Sequence, residues 1–262
     1  MGGTGAASGE AILSADGVGK TFGAFRALRD VSVAFPRGRL TSIIGPNGAG
    51  KSTFFNVISG ALLPSEGRVV FEGRDITGLS QHLLARLGIA KSYQITSLFP
   101  HLTALENVRI AAQALVSRFG MWRPRSALPG LVDEATALLD GVGLGRRLGV
   151  PAAGLAHGEQ RALEIAVALA SRPRLLLLDE PTAGMSPEET RSIMELIVRL
   201  ATERTVVLVE HKMKLVMNIS DRVVVLHHGE VLAEGTPDEI RANDEVKRVY
   251  LGQGRPAAAG AR

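Results

Sequence analysis

Gly45-Pro46-Asn47-Gly48-Ala49-Gly50-Lys51-Ser52-Thr53 is the stretch that decides the fold. Just upstream, Leu40-Thr41-Ser42-Ile43-Ile44 is a short apolar run with the texture of a buried strand. Just downstream, Phe54-Phe55-Asn56-Val57-Ile58-Ser59 brings apolar residues back at helical spacing. Strand, glycine loop and helix form the setting in which G-x-x-x-x-G-K-[ST] acts as a phosphate-binding loop. Gly45, Gly48 and Gly50 let the backbone turn tightly, so that successive N–H groups face an anion. The helix that follows adds its positive end and its free N–H groups. Lys51 is expected to reach the β- and γ-phosphates, and the Ser52 hydroxyl to ligate Mg²⁺. A glycine turn with no such role is the plain alternative, and the flanking elements argue against it. The chain is therefore expected to bind a nucleoside triphosphate.

The 262 residues suffice for one large domain or two small ones. A hydrophobic content of 45% and a charged content of 21% are those of a globular protein. The net charge of +4 is spread along the chain, with no basic stripe, so nucleic acid is not an expected partner. The absence of cysteine removes disulfides, thiolate zinc sites and cysteine nucleophiles. Residues 1–10 read as a flexible leader, without the basic and apolar regions of a signal peptide. No apolar run approaches the roughly 18 residues needed to span a bilayer, so a soluble or peripheral protein is expected.

Strands are expected over residues 11–18 and 28–35 with a turn at Gly23, over 67–73, over 88–93 and over 205–209. A hairpin turn is expected at His228-Gly229. Composition makes Phe22 an ordinary core aromatic; the alternative is a ring that stacks on a base. From Thr103 the helical period takes over. Thr103-Ala104-Leu105-Glu106 is a capping box opening a helix to about Val116. A second helix is expected over 127–139, ended by Asp140-Gly141, and a long apolar helix over 162–170. The stretch between the first two carries the only Trp beside basic residues, either a surface loop or a docking site. Leu175-Leu176-Leu177-Leu178-Asp179-Glu180-Pro181 is an apolar strand running into two acids. Acids there are often turn residues, but the C-terminal edge of a parallel sheet is where ligands bind. Asp179 suits Mg²⁺ and Glu180 suits a base that orients water. His211, after the 205–209 strand, is either a satisfied loop residue or a γ-phosphate contact. Gln94, at the end of another strand, marks a change of texture.

Together these motifs resemble the ATP-binding-cassette ATPases over nearly the whole chain. The resemblance implies an α/β P-loop fold with a RecA-like core and an N-terminal antiparallel β subdomain over residues 11–93 and 171–252. It adds an inserted helical subdomain over 94–170 and a tail over 253–262. It makes residues 45–53 the Walker A loop, residues 175–179 the Walker B strand, Glu180 the catalytic glutamate, Gln94 the Q-loop and His211 the switch histidine. Phe22 falls at the adenine-stacking aromatic, and Ala183-Gly184-Met185-Ser186 at the D-loop. Leu155, Ala156, His157, Gly158, Glu159 and Gln160 occupy the signature, LSGGQ in the family, with Ala156 for Ser, His157 for the first Gly and Glu159 for Gln. In such proteins two cassettes pair head to tail, each signature closing over the other's ATP. The Ala156 departure removes one phosphate contact, with the helix N-terminus and the Gly158 N–H expected to remain available. Either the composite site is weakened or His157 takes part in a subfamily form; the second is favoured.

The signature, Asp179-Glu180-Pro181-Thr182-Ala183-Gly184-Met185, the Glu210-His211-Lys212-Met213 segment and the Val249-Tyr250-Leu251-Gly252 ending resemble branched-chain amino-acid importer ATPases of bacteria. The likeness is to the longer of their two ATPase subunits, whose helical subdomain is extended where residues 117–154 lie. It implies ATP and Mg²⁺ (Ser52, Gln94, Asp179), a second and different ATPase subunit, two transmembrane permeases and, indirectly, a periplasmic binding protein. It also implies a peripheral place on the cytoplasmic face of the inner membrane. Urea-importer ATPases are an alternative, as are lipopolysaccharide-export ATPases and soluble cassettes.

Overall fold

A computed structural model describes residues 10–92, 98–116 and 129–251. In chain order the elements are β1 (Ala11–Phe22), β2 (Phe25–Pro36), β3 (Leu40–Ile44), α1 (Lys51–Ile58), β4 (Glu66–Phe71), β5 (Arg74–Asp75), α2 (Gln81–Leu87) and β6 (Ile89–Ser92). Then follow α3 (Ala104–Val116), α4 (Pro129–Gly141), α5 (His157–Leu169), β7 (Leu175–Asp179), α6 (Pro187–Ala201) and β8 (Thr205–Val209). The last are α7 (Met213–Ile219), β9 (Arg222–His227), β10 (Glu230–Gly235), α8 (Pro237–Ala242) and α9 (Asp244–Leu251). The chain divides into two compact units, Met1–Gly78 with Val207–Arg262, and Leu79–Val206. The boundary into the closing segment of the first unit falls within β8.

The first unit holds an antiparallel sheet of order β2-β1-β4-β5 and a mixed one in which β10, β9, β3 and β8 lie in that order. β1 is longer than the expected 11–18 and passes through Gly17 and Gly19. It is hydrogen-bonded on both sides, to β2 and β4, and absorbs these glycines at register shifts between Asp16 and Gly19. The strand expected over 67–73 ends earlier, at Phe71. Glu72 (φ 48°) and Gly73 (φ 75°) form a tight turn with both residues left-handed, and β5 folds straight back. β3 is buried at all five positions and runs parallel to β9, Ile44 opposite Val225. A strand covered on both faces reads as an unbroken apolar run, which is why residues 40–44 stand out in the sequence. Behind the loop that follows, Phe54 stacks on Phe35 at 6.4 Å between ring centroids, both rings fully buried. At the other end of the chain, Ile240 and Val246 of α8 and α9 join Ile44, Val216, Val223 and Val225 in one cluster.

In the second unit β7 pairs in parallel with β6, Leu176 opposite Ala90. The expected capping box opens α3: the Thr103 N–H donates to Glu106 Oε2 at 3.2 Å and the Glu106 N–H to Thr103 Oγ1 at 3.2 Å. α4 runs through Asp140 and Gly141, past its expected end, and stops where Gly143 turns left-handed (φ 83°). The glycine-rich connection then forms two single 3-10 turns, Gly145–Arg147 and Ala152–Gly154. α5 begins at His157, five residues before the expected Ala162, because the signature residues form its first turn. No helix among the described residues is long and apolar enough to cross a membrane.

Candidate nucleotide site

The first unit carries the glycine loop between β3 and α1. Gly45 is fixed by crowding: a Cβ there would lie 2.3 Å from the Leu226 carbonyl oxygen of β9. Gly50, the N-cap of α1, is left-handed (φ 97°), and a Cβ would meet Leu28 of β2 at 2.9 Å. The Gly229 N–H donates to the Ala49 carbonyl at 3.0 Å, and the Arg29 N–H to the Gly229 carbonyl at 2.8 Å. The β9–β10 turn thus pins the loop to β2. Lys51 is only 7% exposed, and its Nζ donates to the carbonyls of Gly45 at 2.8 Å and Pro46 at 2.9 Å. Pro46 is buried; Asn47, Gly48 and Ser52 are exposed, and Thr53 half-buried. An exposed hydroxyl in the first turn of α1, with helix N–H groups around it, has the chemistry to receive a phosphate and its cation.

Phe22 is 48% exposed, not the core aromatic that composition favours. It lies two residues beyond Lys20, the register partner of Leu28, and the Lys20 ammonium sits 5.2 Å from its ring centroid. His211 follows β8, where the Glu210 N–H donates to the Ile43 carbonyl at 3.3 Å, two residues before Gly45. The Glu210 side chain is fully buried and accepts from the His211 N–H at 3.2 Å.

The second unit carries the acids and the signature. Asp179 ends β7 half-buried, and Glu180 follows it at φ 42°, a left-handed conformation costly for a residue with a side chain. The backbone here is braced from α5. Arg161, 6% exposed, donates to the Asp179 carbonyl at 2.8 Å and pairs with the equally buried Glu164. Lys91 of β6 lies in the same field: burial pushes its ammonium below the usual range, and the Asp179 carboxylate opposes that.

At the signature, Leu155 is buried, Ala156 is the exposed N-cap of α5, and His157, Gly158, Glu159 and Gln160 are half-buried. Gln160 Nε2 donates to the Ala152 carbonyl at 3.1 Å. Ala156 has no oxygen to cap the helix. Glu159 supplies half of a capping box, accepting from the Ala156 N–H at 3.0 Å and pairing with Arg147 at 2.8 Å. Its carboxyl is held below the usual range, first by that N–H and then, against burial, by Arg147. The Gly158 N–H is not available as the sequence suggests. It donates to Glu189 Oε1 of α6 at 2.9 Å. Gln94 lies outside the described residues, as do residues 1–9, the tryptophan stretch 117–128 and the chain from Gly252 onward.

Sequence reasoning passed over Arg161, Glu164 and Glu189. Only Glu189 left a signal, as the last residue of Ser186-Pro187-Glu188-Glu189, a capping box for its own helix. Its second bond spans 31 residues and has no local signature.

A family model described as ABC transporter matches residues 28–183, from β2 through the glycine loop and signature to β7. The chain belongs to the ABC transporter family. A second model, described as branched-chain amino acid ATP-binding cassette transporter, matches residues 230–255 of this cassette. The high-affinity branched-chain amino acid transport ATP-binding protein LivG of Salmonella typhimurium is 39% identical over 251 residues, 92% of the cassette and 98% of LivG. BraF of Pseudomonas aeruginosa, described in the same words, is 40% identical over 250 residues, with 92% and 98% covered. Among solved structures, an ATP-binding cassette of an ABC transporter in its ADP conformation has a TM-score of 0.84 at 32% identity, covering 93% and 99% of the chains. A dimeric cassette in a post-hydrolysis state bound to ADP and Pi has a TM-score of 0.73 at 29% identity, covering 86% and 98%. The cassette is an ABC-type ATPase with the P-loop α/β fold expected from its sequence.

Proposed function

We propose that this cassette hydrolyses ATP to power an importer of branched-chain amino acids. The observation that carries the substrate is the match of residues 230–255 to the branched-chain cassette model, beyond the part shared by ABC transporters in general. The identity to LivG and BraF over nearly their whole length supports it.

In this reading the loop from Gly45 to Thr53 holds the β- and γ-phosphates, with Lys51 as the phosphate cation and Phe22 against the adenine. Exposure of the Phe22 ring and of Ser52 supports both placements. Glu180 orients the attacking water and His211 holds the γ-phosphate. Phosphoryl transfer of this kind is mainly positioning and charge neutralisation. Mg²⁺ would be held by Ser52, Gln94 and Asp179, and when bound it neutralises phosphate charge. The Ser52 hydroxyl and the Asp179 carboxylate are the hard oxygen donors that Mg²⁺ takes.

The signature from Leu155 to Gln160 closes over the ATP of a second cassette, a different chain, so that the two form a heterodimer. Residues 94–170 form the helical subdomain that meets two permeases on the cytoplasmic face of the inner membrane, with a periplasmic binding protein beyond them. Uptake of labelled leucine and of labelled urea, in cells with and without the gene, tests the assignment. Loss of leucine uptake with urea unchanged is the expected result; the reverse pattern overturns it.

A further inference from the structure

The first turn of α5 lacks what helix starts normally have. An N-cap Ser, Thr, Asp or Asn accepts a hydrogen bond from the N–H two or three residues on. Ala156 has no acceptor. The acceptor comes instead from α6. Glu189 Oε1 takes the Gly158 N–H at 2.9 Å, while Oε2 takes the Ser186 N–H at 3.0 Å and the Ser186 hydroxyl accepts from the Glu189 N–H at 3.2 Å. One carboxylate caps two helices.

Two further contacts belong to this clasp. A Cβ on Gly158 would lie 3.0 Å from Glu189 Cγ and 3.1 Å from Oε1, so the approach is as close as it is because residue 158 is glycine. A Cβ on Gly184, in the D-loop, would lie 3.6 Å from His157 Cε1, so the imidazole rests against that loop. The carboxylate stays ionised: the N–H groups of Ser186 and Gly158 hold it below the usual range, and His157 adds to this against slight desolvation.

We propose that Glu189 is a positioning residue for the signature, its carboxylate replacing the cap that Ala156 cannot provide and tying the first turn of α5 to the D-loop and α6. The direction of the α5 N-terminus then depends on the D-loop, and the two segments move together. The consequence for turnover rests on the reading that this signature serves the partner's nucleotide; the clasp itself does not.

Two measurements on Glu189→Ala test the idea. In the full chain alone, hydrogen exchange at the Gly158 amide is expected to quicken, and ATP affinity to stay unchanged. In the assembled transporter, ATP turnover is expected to fall roughly five- to tenfold, the effect of losing one cap. Ala156→Ser, added to Glu189→Ala, returns a hydroxyl acceptor at the N-cap and is expected to restore both protection and turnover. A general loss of packing would not be rescued in this way. Should Glu189→Ala fold poorly, Glu189→Asp keeps the charge but withdraws the carboxylate from Gly158, and the same loss of protection is expected. Unchanged Gly158 exchange in these variants overturns the clasp. Lost protection with undiminished turnover overturns the positioning role. A wild-type assembly that hydrolyses no ATP overturns the importer reading instead, and Gly158 exchange still decides the clasp.

Discussion

Lys51 sits buried with its ammonium on the Gly45 and Pro46 carbonyls, two bonds that, in the proposed reading, an arriving phosphate replaces with bonds between opposite charges. Lys51→Ala is expected to weaken ATP binding by roughly ten- to a hundredfold, the worth of a hydrogen bond to a charged group; titration calorimetry on the chain reads it. Glu180→Gln keeps the size of the side chain and the backbone at φ 42° but removes the base. Turnover in the assembled transporter is expected to drop by about 10²–10⁴, the range for general base catalysis, with ATP binding retained. Normal turnover in that variant would remove Glu180 from the role proposed for it. Gly45→Ala drives a methyl to 2.3 Å from the Leu226 carbonyl. A loss of about 1–3 kcal/mol follows from overpacking of this kind, seen as a lower urea midpoint at unchanged slope.

At the scale of elements, α3 starts on Glu106, and three further helices start on carboxylates of their own: Glu159 on α5, Glu189 on α6 and Glu239 on α8. Backbone N–H groups hold all three below their usual value of 4.5, with Arg147, His157 and Arg222 as the nearby cationic groups. A depressed native value means that folding favours the ionised form. Their contribution is complete above about pH 4.5 and disappears as the pH falls through the depressed native values. Melting temperature is therefore expected to fall more steeply below pH 4.5 in the wild type than in a triple Glu→Gln variant. Parallel slopes would show that the caps contribute nothing. Of these elements, α6 and α8 have starts legible in local sequence, Ser186-Pro187 and Thr236-Pro237 each pairing an N-cap hydroxyl with a proline in the first turn. The start of α5 is not, since Ala156 has no capping side chain and His157 and Gly158 are weak helix formers.

For the whole molecule, the proposal that the signature acts on another subunit's nucleotide implies a single chain able to bind ATP and poor at splitting it. The isolated cassette is expected to turn over slowly, and adding the partner ATPase and permeases to raise the rate at least about tenfold, since positioning supplies most of the catalysis. Equal rates with and without them would argue for a site complete within one chain. The sequence by itself determined the glycine loop, the apolar strand into Asp179-Glu180, the hairpin at His228-Gly229 and the family, because each rests on residue types at fixed local spacing. Tertiary structure alone decided three things. Phe22 is exposed, since burial depends on what packs around a hairpin tip and not on side-chain chemistry. Lys51 folds back onto its own loop carbonyls. The Gly158 N–H is taken by Glu189, a bond between residues 31 apart whose geometry is set by how α5 and α6 pack, which no local pattern encodes.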